Sequence, residues 1–74
     1  MNNRRAWTRE EIEKVHDKDE LERMLLTAQD AVEGIETLLD FNPDHPRRDA
    51  ATTALIHWRR AVRDLTAKLK KAAA

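Results

Sequence analysis

The chain has 74 residues and no net charge at neutral pH, and 38% of its residues are charged. It has no cysteine, which excludes disulfides and thiolate zinc sites as sources of stability. One core barely offsets the conformational entropy of so small a domain, so regular helix packing or self-association must contribute. With one glycine, two prolines, two tryptophans and one phenylalanine, the chain has too few turn-forming and strand-forming residues for a β-sheet.

A short first helix is predicted by the residues around Thr8. Thr8 and Glu11 have the spacing of a capping box, in which the side chain of each accepts from the backbone N–H of the other. Trp7 and Ile12 have the spacing of a hydrophobic staple. We therefore predict a helix over residues 9–16 that docks over one end of the longer helices.

The same region carries a local resemblance to Myb/SANT domains. Their opening pattern, W-T-x-E-E, resembles the run Trp7-Thr8-Arg9-Glu10-Glu11. Those domains place further tryptophans at regular intervals on three short helices, whereas the next tryptophan here is Trp58. Because the likeness covers only this run and capping chemistry accounts for it, we assign no family and carry over no function.

A long second helix is predicted to run to about Asp40, with Asp17 or Asp19 as its N-cap. Written as heptads from Leu21, its a, d and e positions are all apolar, which is a strong helical signal. These positions are Leu21, Met24, Leu25, Ala28, Ala31, Val32, Ile35, Leu38 and Leu39.

The break after this helix contains Pro43, which prevents the helix from continuing. Asp44 is the predicted N-cap of the last helix, and Pro46 suits its first turn. We predict this helix over residues 46–71, antiparallel to the second because the connection is short. Only Lys68 interrupts its stripe, and a lysine stem can lie along apolar surface while its amine stays in water. The stripe positions are Ala51, Ala54, Leu55, Trp58, Ala61, Val62, Leu65, Lys68 and Leu69.

These elements predict an all-α fold, a long antiparallel helical hairpin with a short N-terminal helix. Each stripe occupies three positions in every seven, more than a two-helix seam can bury. We therefore expect the hairpin to complete a helical bundle by dimerisation or with another protein; a compact three-helix monomer is the alternative. Residues 8–71 are expected to form one helical domain between a flexible tail, 1–7, and a frayed tail, 72–74. The predicted oligomer or partner interface consists of Leu21, Leu25, Val32, Leu39, Leu55, Trp58, Val62 and Leu69.

The zero net charge hides an opposition between the two halves of the chain. Residues 1–43 hold 6 basic and 11 acidic side chains, whereas residues 44–74 hold 8 basic and 3 acidic ones. One interpretation is that an acidic helix lies beside a basic helix and the charges neutralise each other. The other is that the basic half meets an acidic partner or a nucleic acid. The residues of this candidate face are Arg47, Arg48, Arg59, Arg60, Arg63 and Lys70.

No residue pattern indicates catalysis, and we expect neither an enzyme nor a cofactor. His16, His45 and His57 lack the spacing of a metal site, so we predict no bound metal. Many carboxylates have a basic partner four residues away, as Glu10 has Lys14, which is typical of a solvated helix face. No apolar run approaches the roughly 18 residues of a membrane span, and no signal peptide is visible. We therefore expect a cytoplasmic protein with no membrane or small-molecule partner.

The function predicted from these observations is a non-enzymatic protein–protein interaction module, such as a small adaptor, inhibitor or assembly component. By analogy of fold alone, small chains of this design occur among phage and mobile-element accessory proteins. The alternative function is a nucleic-acid-associated regulator that uses the basic face of the last helix. The absence of a net positive charge and the position of Trp58 in the apolar stripe favour the first function over the second.

Overall fold

The computed structural model describes residues 5–73, and within them the chain forms three α-helices and no strand. The helices are α1 (Arg9–Glu13), α2 (Lys18–Phe41) and α3 (Arg48–Ala73). α3 packs against both α2 and α1. Glu36 contacts Arg59 and Lys18 borders the same depression as Lys70, so α2 and α3 run antiparallel. The predicted all-α class and the packed pair of long helices are confirmed.

The molecule is elongated, measuring 43 × 22 × 17 Å along its principal axes. Its radius of gyration is 13.4 Å, against roughly 11 Å for a compact chain of this length. The cause is α3, whose 26 residues extend for about 39 Å at about 1.5 Å per residue. A molecule this long and thin has little interior, so its long sides form most of its surface.

Side chains hold α1 at both of its ends. At its start the predicted capping box is confirmed: the Thr8 hydroxyl accepts from the Glu11 N–H at 3.2 Å, and the Glu11 carboxylate accepts from the Thr8 N–H at 2.9 Å. At its end the Lys68 ammonium donates to the carbonyl oxygens of Ile12 and Glu13, at 3.1 and 2.7 Å. These carbonyls already have a donor, so the helix can end at Glu13, earlier than predicted.

α2 begins and ends close to its predicted limits. Asp17 is the N-cap, because its carboxylate accepts from the Asp19 N–H at 3.0 Å, and this confirms one of the two predicted caps. The helix continues to Phe41, and the Asn42 N–H still donates to the Leu38 carbonyl at 2.9 Å. A proline follows and cannot continue the helix.

The start of α3 differs from the prediction. The helix begins at Arg48 and not at residue 46, and the prediction that Asp44 is its N-cap is wrong. The imidazole Nδ1 of His45 instead accepts from the Arg47 N–H at 3.0 Å. Asp44 lies in a turn before this contact, and the first carbonyl of the helical series is that of Arg47, which accepts from the Ala51 N–H at 2.9 Å.

The core lies in the half of the hairpin nearest α1. Its members come from all three helices and from the segment before α1: Ala6, Ile12, Leu21, Met24, Ala28, Leu55, Trp58, Ala61 and Leu65. On α2 the buried positions end at Ala28, and the later stripe residues are half-buried or, at Leu38, exposed. Trp7 lies against this core, its ring edge-to-face with Trp58 at a centroid distance of 5.4 Å.

The ends of the predicted domain need correction. Ala6 is buried and Trp7 is half-buried against the core, so both belong to the folded unit and not to a flexible tail. The hydrophobic staple and the contact with Trp58 explain why the chain is fixed this early. Residues 1–4 of the predicted tail lie outside the described residues. At the other end α3 includes Ala73, and the last residue of the predicted frayed tail also lies outside the described residues.

Candidate interaction surfaces

Three of the eight predicted interface residues lie in the chain's own core. Leu21, Leu55 and Trp58 are only 1%, 8% and 5% exposed, because the chain's own core encloses them. Their burial is explained within one chain, and their contact with a partner stays a prediction. α1 and the segment before it cover part of the stripe, chiefly through Ile12 and Trp7.

The other five predicted interface residues are half-buried and lie in two lines along the hairpin. On α2 the line is Leu25, Val32 and Leu39, and on α3 it is Val62 and Leu69, which continue the line from the buried Leu55. Members of each line are seven residues apart, which is about two helical turns and places them on one side of their helix. We call these five residues, between α2 and α3, the open seam.

The open seam lies away from α1. Shallow depressions follow it, one of about 210 Å³ beside Val32 and Val62, another of about 360 Å³ beside Leu25 and Leu69. No residue of α1 borders either of these depressions. Asp64, which faces Arg9 of α1 at 4.0 Å, lies about 160° around α3 from Val62 at 3.6 residues per turn. The apolar line of α3 is therefore turned away from the helix that covers the other side.

Charged side chains border the open seam with opposite signs on its two sides. On α2 the depressions are bordered by Glu22, Glu33 and Glu36, together with Lys18, and on α3 by Arg59 and Lys70. Within residues 5–73, Arg59 and Glu36 form the one ion pair that joins α2 to α3. Most of the charge opposition between the two halves is thus not neutralised across the hairpin.

The six residues of the predicted basic face do not act alike. Arg59 pairs with Glu36, and the half-buried Arg60 donates to the carbonyl of Trp7 at 3.5 Å, so these two arginines serve the fold. The remaining four are exposed, and the structure shows no ion pair for them within residues 5–73: Arg47, Arg48, Arg63 and Lys70. They span about 23 residues, or about 35 Å of helix length, and so form a line and not a compact patch.

A second surface is a groove of about 830 Å³ between α3 and the segment before α1. Its apolar part includes Ala6, Ala54 and Ile56, and Ile56 is 61% exposed. Arg5 and Arg60 border it. Sequence reasoning missed this groove because its wall is formed by residues that were assigned to the tail.

An ion pair fixes the segment that forms this wall. The Arg5 guanidinium donates to both carboxylate oxygens of Glu11, at 3.1 and 3.0 Å, and Glu11 also accepts from the Thr8 N–H. The hydrogen bond from Arg5, followed by that from the Thr8 backbone, lowers the pKa of Glu11 from 4.5 to about 2. The ionised carboxylate is therefore favoured in the folded state.

Replacing Glu11 with glutamine should change how stability depends on pH. A carboxyl pKa that is lower in the fold stabilises it above pH 4.5, and this contribution is lost as the pH falls through about 2. We expect Glu11→Gln to melt below the wild type at pH 7, and this difference to shrink from pH 5 to pH 2 and with added salt. Thermal melts followed by circular dichroism measure it. Glu10→Gln is the control on the same helix; a difference that stays constant with pH in both variants would contradict the role of Glu11.

The described residues offer few groups for metal binding or for a chemical reaction. Within residues 5–73 no group of three or more His, Asp or Glu side chains is placed to hold a metal ion, and no helix there is long and apolar enough to cross a membrane. One buried carboxylate oxygen, Oδ2 of Asp64, has no hydrogen-bond partner, and the nearby Arg9 guanidinium compensates its charge.

No protein-family model, curated protein or solved structure matches the chain. The surfaces described above are therefore the observations from which a function is inferred.

Proposed function

We propose that the chain is a non-enzymatic protein–protein interaction module, a small adaptor, inhibitor or assembly component that binds through the open seam. The observation that carries this proposal is the pair of apolar lines that remains half-buried on the side of the hairpin away from α1. Residues with this spacing and burial are those that contact a further helix in a bundle.

The make-up of this surface supports a protein partner. Specific interfaces have an apolar centre and a polar rim that stays in contact with water. The open seam has such a centre, with Val32 and Val62 in the middle and charged side chains such as Glu33 and Arg59 on its borders. Apolar area that leaves water on binding contributes roughly 25 cal/mol per Å², so covering the two lines is favourable.

The size of the surface is also sufficient. A stable, specific interface buries about 800 Å² on each partner. The hairpin presents a side that is 43 Å long and between 17 and 22 Å wide, which can provide an area of this order. A partner that covers only the loop end or only α1 could not bury an area of this order.

A site-specific photo-crosslinking experiment tests this function. A photoreactive amino acid placed at Gln29 or Thr66, which border the open seam and are exposed, should form protein adducts when the full chain is expressed in cells. The same amino acid at Thr37, exposed on α2 but outside both depressions, should form none. Absence of adducts at both seam positions would refute the proposal, and the adduct mass distinguishes a second copy from a different protein.

The second candidate function is a nucleic-acid-associated regulator, and the observation that favours it is the line of exposed basic residues from Arg47 to Lys70. Contacts with phosphates weaken steeply as salt increases. The candidate therefore requires a mobility shift on DNA or RNA at low salt that Arg47→Gln/Arg48→Gln reduces. If no shift is detected at low salt, the candidate is discarded.

A further inference from the structure

We propose that the partner at the open seam is a second copy of the chain, arranged so that α2 of each protomer lies against α3 of the other and both interhelical loops lie at the same end. This inference rests on the proposed function, because it names the partner of the same surface. Three features of the described residues carry it: the two apolar lines, the charges on their borders, and the symmetry that a pair of identical chains imposes.

The apolar lines suit a partner that is itself a pair of helices. Leu25 and Val32 on α2 face the partner at the same levels as Leu69 and Val62 on α3, since each pair borders one depression. A single helix laid into the seam could contact both lines, but it would present one apolar stripe to two. A second hairpin laid face to face has two matching lines, as in a four-helix bundle.

Symmetry leaves two ways to place a second hairpin on this face. A twofold axis parallel to the helices brings α2 of one protomer against α3 of the other and leaves the loops at the same end. A twofold axis across the helices brings α2 against the partner's α2, α3 against the partner's α3, and places the loops at opposite ends. Both are closed arrangements in which the same surface is used twice.

The border charges choose between these two arrangements. The α2 border carries Glu22, Glu33 and Glu36, with Lys18 as its basic exception, and the α3 border carries Arg59 and Lys70. The axis along the helices therefore sets acidic borders against basic ones, whereas the axis across them sets like charges against each other. Because like charges across an interface disfavour that alignment, the first arrangement is preferred.

The same charges favour a second copy over an unrelated protein. The open seam carries an acidic border and a basic border on opposite sides of one apolar centre, so it is complementary to itself after a twofold rotation. The intramolecular pair between Arg59 and Glu36 shows that the two borders approach each other closely enough to interact. In the dimer the acidic borders of α2 and the basic borders of α3 alternate around the four helices.

Sedimentation equilibrium of the full chain tests the inference through charge variants. The wild type should pass from the mass of one chain to that of two as its concentration rises. Glu22→Lys and Lys70→Glu, whose residues border one depression, should each weaken the association by about tenfold or more, because close charge pairs couple strongly across an interface. An equimolar mixture of the two variants should restore it, since each then meets the opposite charge on its partner.

This mixture separates the interface from effects within one chain. Each variant keeps its own altered charges in the mixture, so recovery can arise only between chains. Asp30→Lys is the control with the same charge change, because Asp30 is exposed on α2 and borders neither depression, and it should associate like the wild type. Association that is equal in all variants would overturn the inference.

The position of the loops tests the arrangement itself. The chain has no cysteine, so Asp44→Cys offers a single site in the loop for a spin label. Electron–electron distance measurement on the dimer should give a separation well below the 43 Å length of one protomer; a separation equal to or above that length would overturn the arrangement. If the chain stays monomeric while crosslinks at Gln29 or Thr66 capture a different protein, the second copy is refuted and the proposed function stands. If neither occurs, both fail.

Discussion

Replacing Trp58 with alanine should remove a large share or all of the stability of the fold. Trp58 is 5% exposed, belongs to the core cluster of all three helices, and holds the ring of Trp7 edge-to-face. Truncating a buried tryptophan costs about 3–5 kcal/mol. A chain of this length has a total stability on the order of 4–11 kcal/mol at the usual stability per residue, so this loss takes a large share or all of it.

Urea and thermal unfolding followed by circular dichroism measure this loss. Leu26→Ala is the control because Leu26 is a large apolar residue that is 62% exposed on α2, and it should change the free energy of unfolding by less than about 0.5 kcal/mol. If Trp58→Ala unfolds at the same temperature and urea concentration as the wild type, Trp58 does not hold the core together.

Local signals in the sequence were sufficient for most of the fold. The capping box of Thr8 and Glu11 and the N-cap Asp17 are contacts between residues that are two or three positions apart, so spacing alone predicts them. The apolar stripes predicted both long helices, and every buried residue of α2 and α3 belongs to one of them. These features depend on the helical repeat, which the order of residues states directly.

Contacts between distant parts of the chain could not be predicted in this way. Lys68 interrupts an apolar stripe, and its role is to donate to the carbonyls of Ile12 and Glu13, more than 50 positions earlier. Nothing in the spacing around Lys68 indicates these acceptors. The position of Ala6 in the core has the same explanation, because it follows from the docking of Trp7 on Trp58.

Only part of the candidate interface could be predicted, because it too depends on contacts between distant parts of the chain. Counting apolar positions showed that the stripes exceed what two helices can bury, but it could not say which positions the short helix would cover. In the structure Leu21 and Leu55 lie within the core, whereas Leu25 and Val62 remain half-buried in the open seam. Leu55 and Val62 lie seven residues apart on the same side of α3, so neither the heptad position nor the helical angle separates them, and the difference depends on contacts with distant parts of the chain.

The two sides of the hairpin are covered to different extents: α1 packs on one side, and the open seam on the other side stays half-buried. α1 and the segment before it cover one side of the hairpin through Ile12, Trp7 and the hydrogen bonds of Lys68. A third full-length helix on the other side would bury the apolar lines and complete the core. The chain has none within residues 5–73, and the proposed second copy supplies two.

Replacing Ile12 with alanine should destabilise the whole domain and not only α1. α1 has five residues, far too few for an isolated helix to be stable in water, so docking must hold it. Ile12 is 1% exposed and shares one core cluster with Leu21 and Leu65. Removing its buried carbons should lower the free energy of unfolding by about 2–5 kcal/mol, in one cooperative transition because the cluster joins all three helices.

Two probes of the same unfolding experiment decide whether all three helices lose stability together. Circular dichroism follows mainly α2 and α3, whereas tryptophan fluorescence follows Trp7 and Trp58 at the docking site, and the two curves should shift together in Ile12→Ala. Glu10→Ala, an exposed position on the same short helix, should shift neither by more than about 0.5 kcal/mol. A fluorescence change at low urea with an unshifted dichroism midpoint would mean that α1 releases alone. The hairpin of α2 and α3 would then be stable without α1, and α1 would not be part of its core.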